Sequence, residues 1–327
     1  MFDIITIGSA TRDVFLQSEE FKVVKDSDFA TGQAECFGLG SKIEIKKIVL
    51  TTGGGGTNTA VTFARQGLNT CCIGAIGNDY NGRELIDELK KENINTDYFQ
   101  KSELSELTAY SVILVNPNGE RTILSYKGEG QNFEVNKISF DKLKASWMFL
   151  DSLGGHYDLL EKAVNWAVQN NIKLATNPGG KELNHGLDKL KPLFKHFSVV
   201  IMNKEEAAKL TGINYKKEEE IFKLMDDIID GIFVMTKGPE GVTVSDGKNI
   251  YSAGIPNSPV VERTGAGDAF SSGFVVEYIK SGDVTKAIQA GTANASSVVT
   301  KFGAKEGILK NGEKSQWPLV EVSQKPL

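Results

Sequence analysis

The sequence predicts an α/β protein in which a mostly parallel central sheet is flanked by helices. Short apolar runs rich in β-branched residues alternate with amphipathic stretches along the chain. This alternation is typical of a parallel sheet covered by helices. The chain has 327 residues, 40% of them hydrophobic and 24% charged, which is enough for one large domain or two modest ones.

The individual elements follow from hydrophobic period and from start and stop signals. Strands are expected at the apolar runs Phe2–Ile7, Thr70–Ile76, Trp147–Leu150, Ile172–Ala175, Ser198–Met202 and Gly231–Thr236. Helices are expected between them, at Thr57–Gln66, Gly82–Glu92, Tyr157–Asn170, Lys204–Leu210, Lys217–Ile229, Gly267–Lys280 and Val284–Lys301. Gly67 and Gly212 each follow a helix as a C-terminal cap.

Two segments, about residues 17–50 and 106–127, lack helical period. They contain alternating stretches and turn residues, namely Lys42–Leu50, Thr108–Val115, Asn116–Gly119 and Arg121–Tyr126. We expect a small β-sheet that projects from the core. Because both segments leave and re-enter the N-terminal half, they could meet as a lid over an active site, although a decorative pair of hairpins is the alternative.

Composition excludes several classes of function. The 37 basic and 42 acidic residues give a net charge of −5, which provides no positive field for a nucleic-acid partner. An acidic residue, Asp3, stands where a signal peptide needs basic ones, and no apolar run is long enough to span a membrane. The three cysteines lack metal-ligand spacing and are odd in number, which argues against a zinc site or a disulfide framework. We therefore expect a cytoplasmic protein without a membrane partner.

The segment Glu262–Phe270 carries the strongest chemical signal. Gly265, Ala266 and Gly267 stand at the entrance of an apolar helix, where backbone N–H groups and the helix dipole attract an anion. Asp268 would lie beside the same anion, which is electrostatically poor unless its carboxylate takes a proton from an attacking hydroxyl. The juxtaposition favours phosphoryl transfer. A tight turn with a dipole-stabilising aspartate is the structural alternative.

A second glycine cluster, Gly53–Gly56, opens another predicted helix. Glycines such as Gly54 allow a ligand to lie against bare backbone, and Asn58 can exchange hydrogen bonds with hydroxyl groups. The cluster therefore suits a polyol, with a flexible loop as the alternative. Neither glycine cluster fits the Walker loop or the dinucleotide fingerprint, which argues against an NAD-dependent dehydrogenase.

Asp13 closes the segment Gly8–Asp13 after the first predicted strand. Ligands in α/β sheets bind beyond the carboxyl ends of strands, so this carboxylate could clamp two sugar hydroxyls. A turn residue or helix cap is the alternative.

Taken together, these clusters make the chain resemble the ribokinase-like (PfkB) carbohydrate kinases. The resemblance runs over essentially the whole chain, through Gly8–Asp13, Gly53–Asn58, Gly74–Gly82, Asn203–Glu206, Thr236–Gly241 and Thr264–Phe270. It implies a three-layer ribokinase-like fold, a single domain over 1–327 with the two lid segments, and ATP-dependent phosphorylation of a sugar or nucleoside.

The resemblance also implies roles for individual residues. Asp268 matches the catalytic base, with Gly265, Ala266 and Gly267 as the anion hole, and Asp13, Gly54 and Asn58 match the contacts to substrate hydroxyls. Asn203 and Glu206 match an element that helps to hold Mg²⁺, largely through water, and the nucleotide phosphates. Thr236, Gly238 and Asn294 match further nucleotide-binding positions.

One departure from the family pattern puts potassium dependence in doubt. Many members have Asp-Thr-Thr before Gly-Ala-Gly and use that Asp to bind a monovalent cation, whereas this chain has Glu262, Arg263 and Thr264. The longer Glu262 could still reach such an ion. Arg263 could replace the cation, bind a substrate phosphate, or point to solvent.

The acceptor stays open at this stage between three classes. A small sugar leads, a nucleoside would need a base pocket, and a sugar phosphate would need basic residues such as Arg12 or Arg121. The aromatic candidates for a base pocket are Phe15, Phe37, Tyr110 and Tyr126. A catalytically silent sugar-binding protein is a further alternative, against which the intact Asp268 argues. A homodimer through the uncovered face of the lid is also expected.

Overall fold

The computed structural model describes residues 1–29, 32–102, 106–117 and 120–327. Within these ranges the strands are, in chain order, β1 Phe2–Ile7, β2 Thr11–Gln17, β3 Lys22–Lys25, β4 Gln33–Cys36, β5 Lys47–Gly53, β6 Thr70–Ile73, β7 Ala75–Ile76, β8 Gln100–Lys101, β9 Tyr110–Val115, β10 Arg121–Tyr126, β11 Ala145–Leu150, β12 Lys173–Thr176, β13 Phe197–Asn203, β14 Ile232–Thr236, β15 Val242–Ser245, β16 Asn249–Ala253 and β17 Ser323–Pro326. The helices are α1 Gly55–Arg65, α2 Tyr80–Lys91, α3 Tyr157–Gln169, α4 Gly180–Leu183, α5 Leu187–Phe194, α6 Lys204–Thr211, α7 Glu218–Asp226, α8 Ala266–Ser281 and α9 Val284–Val298.

A nine-stranded sheet in the order β17-β16-β15-β14-β13-β12-β11-β1-β6 forms the centre of the molecule. The strands from β6 to β14 in this order run parallel, and β14 to β17 pair antiparallel. Helices pack on both faces: residues of α3, α5, α6 and α7 join one hydrophobic cluster, and residues of α1, α8 and α9 join another. The predicted three-layer α/β class is confirmed.

The predicted helices are all present, whereas one predicted strand is interrupted. The run Thr70–Ile76 divides at Gly74 into β6 of the main sheet and β7, which pairs with β8 instead. A Cβ on Gly74 would come within 2.6 Å of the Phe99 ring, so only a glycine lets the backbone pass this close to the ring. The expectation of one continuous strand there is wrong.

A second, four-stranded sheet has the order β10-β9-β2-β5. Its strands β9 and β10 form the hairpin expected from the sequence, and Asn118 and Gly119 of the predicted turn lie outside the described residues. The stretch Lys42–Leu50 forms a strand only from Lys47 onward. We call β10-β9-β2-β5 the small sheet.

The small sheet also contains a strand that the sequence did not predict. β2 begins four residues after β1 ends and lies between β9 and β5. Asp13 is therefore within a strand, paired with Ser111 and Thr51, and not in a turn beyond β1. The small sheet thus starts at Thr11, ahead of the boundary near residue 17 that hydrophobic period indicated.

Close backbone contact brings the two sheets together at the carboxyl end of β1. A Cβ on Gly56 would lie 2.6 Å from the carbonyl carbon of Gly8, so only glycines permit α1 to begin here. The N-terminal ends of α1 and α8 both lie at this edge, since Asn58 of α1 is hydrogen bonded to Asp268 of α8. Among the described residues, no helix is long and apolar enough to cross a membrane.

Candidate active site

The first turn of α8 presents free backbone N–H groups at this edge. Gly265 precedes the helix with a φ of 78°, and a Cβ there would lie 2.3 Å from the Cβ of Ala304. Glycine is thus required by both conformation and space. The N–H groups of Gly267 and Asp268 have no acceptor within the described ranges, as is usual for a first helical turn. With the helix dipole, this turn can hold an anionic oxygen.

Asp268 lies in the same turn and is linked to α1. The Asn58 Nδ2 donates to the Asp268 Oδ2 at 2.7 Å. Burial raises the pKa of Asp268, while the Asn58 hydrogen bond and the positive charge of Lys305 lower it. A carboxylate with a raised pKa is a stronger base, so this group is chemically suited to accept a proton from a hydroxyl.

A second buried carboxylate, Asp151, was missed by the sequence analysis. It follows the last residue of β11, its side chain is 6% exposed, and its Oδ1 accepts a hydrogen bond from the Ser152 N–H at 2.7 Å. Burial raises the pKa of Asp151 well above its usual value, and the negative charge of Asp268 raises it further. Its position directly after a buried parallel strand was the signal that could have identified it.

Asp13 supplies the third carboxylate, from the small sheet. It is 4% exposed and lies against Gly53, where a Cβ would come within 1.9 Å of the Asp13 Oδ2. Burial raises its pKa to about 6, against the lowering effects of hydrogen bonds and of Lys305. Asp13 therefore changes charge close to neutral pH.

The cluster Gly53–Gly56 serves a different purpose from the one expected. The space that a side chain would fill is occupied at Gly54 by the Ser9 carbonyl, at 2.4 Å, and at Gly55 by the Asp151 Oδ1, at 1.8 Å. The protein itself fills the Cβ side of Gly54, and a contact between substrate and the remaining Gly54 backbone stays a prediction. The glycines instead let the carboxylates approach the start of α1.

Several polar oxygen atoms of residues around the start of α1 are buried without a hydrogen-bond partner among the described residues. They are Asp13 Oδ1, Asn58 Oδ1 and Asp151 Oδ2. Buried polar atoms normally have partners, so a group of orphans marks a place for a ligand. Because ionised carboxylate and amide oxygens only accept hydrogen bonds, the complementary ligand must offer donors, as a polyhydroxyl compound does.

On the other side of the α8 turn lies a cavity of about 390 Å³. Its lining includes predicted nucleotide-binding and anion-loop residues, namely Thr236, Gly238, Ala266 and Gly267, together with Arg263. The Arg263 side chain is exposed and Gly238 has a φ of 54° with open space beside it. The structure therefore brings these sequence-predicted residues to one open pocket next to the anion-binding turn.

Asn203 and Glu206 form a capping box at the start of α6. The Asn203 Oδ1 accepts from the Glu206 N–H, and the Glu206 Oε2 accepts from the Asn203 N–H, both at 2.8 Å. Burial raises the pKa of Glu206, and its charge raises that of Asp151. No group of three or more potential metal ligands occurs among the described residues.

Asn294 does not reach the nucleotide cavity. It is 3% exposed, and its side chain donates to the Ala269 carbonyl at 2.8 Å and accepts from the Leu309 N–H at 3.0 Å. Thr292 and Ser296 of α9 line the cavity instead. Since each residue turns the helix by about 100°, Asn294 points away from this cavity, and its role in nucleotide binding stays a prediction.

Glu262 is buried with both oxygens engaged. Its Oε2 accepts from the Thr264 N–H at 2.6 Å and its Oε1 from the Gly303 N–H at 3.2 Å. Burial raises the pKa of Glu262, and Arg121 of the small sheet lowers it. The carboxylate thus joins the segments of Thr264 and Gly303 through one hydrogen bond on each oxygen. A role of Glu262 in binding a monovalent cation stays a prediction.

An anion-binding turn, an adjacent buried carboxylate and a separate pocket on a three-layer α/β fold define a phosphotransferase. The chain belongs to the pfkB family of carbohydrate kinases, whose family model matches residues 1–311. It is therefore a sugar or nucleoside kinase of the ribokinase family.

Known relatives agree with this assignment. The chain is 30% identical to a ribokinase from Haemophilus influenzae, with 78% of this chain and 83% of the relative covered. It is 25% identical to a nucleoside kinase from Methanocaldococcus jannaschii, with 78% and 82% covered. The solved structure of Arabidopsis thaliana ribokinase in complex with ribose and ATP superimposes with a TM-score of 0.73 at 19% identity, over 94% of this chain and 96% of the other, and this likeness concerns the fold.

Proposed function

We propose that the protein transfers the γ-phosphate of ATP to a hydroxyl group of a small sugar. One observation carries this proposal: three buried acceptor oxygens without donors among the described residues, on Asp13, Asn58 and Asp151, lie around the start of α1, where Asn58 is hydrogen bonded to Asp268. Sugar hydroxyls supply the missing donors, and one hydroxyl can then face the proton acceptor.

The mechanism follows from the position of each group. Asp13, Asn58 and Asp151 hold the acceptor by its hydroxyls, and Asp268 takes the proton of the hydroxyl that attacks the phosphorus atom. The first-turn N–H groups of Gly267 and Asp268 stabilise the charge that develops on the phosphoryl oxygens. Catalysis of this type depends on positioning and charge neutralisation more than on covalent participation of the protein.

The nucleotide fits the open cavity beside the α8 turn. Its phosphates would lie near Thr236, Gly238 and the first turn of α8, and Arg263 would contribute positive charge. Glu206 would hold a hydrated magnesium ion through water. When bound, magnesium neutralises phosphate charge during transfer. ATP as the donor is supported by the complex of the Arabidopsis ribokinase.

The small sheet acts as a lid in this proposal. Asp13, Phe15 and Gln17 share one of its faces, because side chains of a strand alternate between faces. Phe15 on that face is 1% exposed and packs edge to face on Phe302, with ring centroids 6.3 Å apart. A lid in this position excludes water, which otherwise competes as the acceptor.

The aromatic residues considered for a nucleoside base do not form a base pocket. Phe15 is buried by core packing and is not available to a base. Phe37 packs against Phe21 and is 52% exposed. Tyr110 pairs with Arg12, on the face of the small sheet opposite Asp13. Tyr126 is 45% exposed and donates its hydroxyl hydrogen to Glu106. These placements favour a sugar over a nucleoside.

The two basic candidates for binding a sugar phosphate differ in position. Arg12 lies on the face of the small sheet opposite Asp13. Arg121 pairs with Val115, which pairs with Gln17 on the Asp13 face, and its Nε is buried without a partner among the described residues. A sugar phosphate is therefore the second candidate acceptor, with Arg121 as its basic contact. A silent sugar-binding role is disfavoured by the free N–H groups of the α8 turn, for which sugar binding has no use.

The face of the small sheet opposite Asp13 is our proposed dimer surface. It exposes Ile48 by 59%, Leu50 by 57% and Leu124 by 55%, with Tyr126 nearby. An exposed apolar sheet face of this kind favours association, and a second copy of the chain would cover it symmetrically. We place the enzyme in the cytoplasm, where ATP is abundant. Light scattering of the native protein and of Leu50→Lys, which should be monomeric, tests the dimer.

A panel of sugars, nucleosides and sugar phosphates, assayed for ADP formation with MgATP, tests the proposed function. We expect one or more free sugars to give the highest kcat/KM. If only nucleosides are phosphorylated, the acceptor is a nucleoside and not a free sugar. Failure of every acceptor, with no binding of ATP by calorimetry, would refute the kinase mechanism.

A further inference from the structure

A buried lysine lies next to the site without a role in the mechanism above. Lys305 is 3% exposed and belongs to the segment after α9 that packs against the α8 turn. Its Nζ donates to the Thr52 hydroxyl, which in turn donates to the Glu88 Oε1 at 3.0 Å. Its backbone carbonyl accepts from the Arg65 Nη1 at 2.7 Å, which fixes the position of the residue.

The surroundings of this ammonium group are rich in acids but contain no direct ion pair. No carboxylate of the described residues lies within 4.0 Å of the Lys305 Nζ in an ion pair. The titratable and charged groups that face it from the elements packed around it are Asp13 of β2, Arg65 of α1, Cys72 of β6, Glu88 and Glu92 of α2, and Asp268 of α8.

An ammonium group buried in this way is costly for folding. Removing a charge from water without a close partner costs several kcal/mol, and burial accordingly lowers the pKa of Lys305. A methionine of similar length would fill the space at lower cost. A destabilising group beside a reactive centre is typical of a functional position.

Two of the carboxylates that Lys305 faces belong to the proposed reaction. Asp13 lies in β2 of the small sheet and Asp268 lies in α8. The positive charge of Lys305 lowers the pKa of both carboxylates. Burial raises the pKa of both carboxylates, and the negative charge of Glu262 adds to the rise at Asp13. Among the described residues, Lys305 thus carries the one positive charge that acts on both carboxylates and favours their ionised forms.

We propose that Lys305 is a positioning residue, whose fixed positive charge holds the acceptor-binding carboxylate of Asp13 and the carboxylate of Asp268 in their charged, hydrogen-bond-accepting forms. This inference rests on the proposed function and deepens it. It assigns to the chain an internal cation on the acceptor side of the site, opposite the nucleotide cavity.

Lys305→Met tests the proposal, with Lys301→Met as the control. Lys301 is an exposed lysine four residues earlier in the same segment. Loss of the buried charge should move the acidic limb of the kcat/KM profile for the acceptor upward by about one pH unit, which is about a tenfold loss below that limb. Activity should return at pH 8.5, and the control should match the native enzyme. An equal loss at every pH, or an unmoved limb, would overturn the proposal.

A second measurement separates this inference from the kinase proposal. ¹³C NMR of protein labelled at aspartate carboxyl groups follows the titration of Asp13 and Asp268 without turnover, with Asp13→Asn and Asp268→Asn used for assignment. Both titrations should move to higher pH in Lys305→Met. If they move while no acceptor is phosphorylated, the inference stands and the proposed function fails. Unchanged titrations refute the role of Lys305 even in an active kinase.

Discussion

The acceptor side and the nucleotide side of the site are built on different physical principles. The acceptor side consists of buried side chains, with Asp13 and Asp151 at 4% and 6% exposure, and burial raises the pKa of both. The nucleotide side consists largely of open backbone at Gly238 and Gly267, with an exposed Arg263 beside a cavity of about 390 Å³.

This difference indicates on which side of the site ligand recognition carries a cost in folding stability. Orphaned acceptor atoms and crowded carboxylates destabilise the empty acceptor side, and a matching sugar relieves that cost. Such a site rejects ligands that lack the correct hydroxyls, because buried polar groups would stay unpaired. The open nucleotide side uses main-chain N–H groups, which bind any phosphate chain with little strain. Substitutions on the two sides should therefore have distinct signatures.

Asp268→Asn should produce the largest effect. The variant keeps the size of the side chain and the hydrogen bond to Asn58, but it cannot accept the proton, so kcat should fall about 10²–10⁴-fold. ATP affinity should stay the same or rise slightly, since a carboxylate near the γ-phosphate is removed. Steady-state kinetics and calorimetry measure the two quantities. More than about a tenth of native kcat would show that Asp268 is only a helix-terminal residue.

Asp13→Asn should separate acceptor binding from stability. Loss of one charged acceptor should raise the acceptor KM about 10–100-fold, with a smaller, linked decrease in kcat. The pKa of Asp13 is raised to about 6, so its ionisation destabilises the folded state as pH rises from about 4 to 6. At pH 7.5 the variant should therefore have a Tm a few degrees above that of the native protein. At pH 4 the two proteins should have the same Tm. A lower Tm at pH 7.5 would contradict this account of burial.

Glu206→Gln should affect the nucleotide side alone. Glutamine preserves the capping box with Asn203 but removes the charge from the metal environment. We expect a several-fold higher magnesium concentration for half-maximal rate and an unchanged acceptor KM. Titration of the rate with magnesium measures this, and thermal melting checks that α6 is intact. An acceptor KM that rises as in Asp13→Asn would erase the distinction between the two sides.

Potassium should have the smallest effect. The Glu262 oxygens already accept N–H groups from Thr264 and Gly303, so the rate should rise less than twofold with added potassium, or about 0.4 kcal/mol of barrier. Sodium chloride at equal ionic strength is the control. Strong activation by potassium alone would show that a cation displaces these hydrogen bonds.

Local sequence was sufficient for features that depend on neighbouring residues. The turn with its glycines at the start of α8 and the alternation of strands and helices could be predicted, because each is expressed within a few residues. Asp13 was placed after the first strand, whereas it lies within β2, because two strands separated by only three residues leave little signal in hydrophobic period.

Lys305, Asp151 and Asn294 show the limits of local sequence. No local pattern identifies Lys305, which donates to Thr52, a residue distant in the chain. Asp151 has a local signal, because it follows a buried strand, but its raised pKa depends on burial and on the distant Asp268. For Asn294, a motif position does not specify on which side of α9 the side chain lies, and the structure directs it to the Ala269 carbonyl.

The sequence by itself determined the layer architecture and predicted the glycine turn at the start of α8 with its proposed base, because hydrophobic period and glycine placement act locally. Only the tertiary structure decided which buried atoms lack partners, which carboxylates share one electrostatic environment, and which cation acts on them. Burial and charge coupling depend on distances between segments that lie far apart in the chain, such as Asp13 and Lys305, and folding alone establishes those distances.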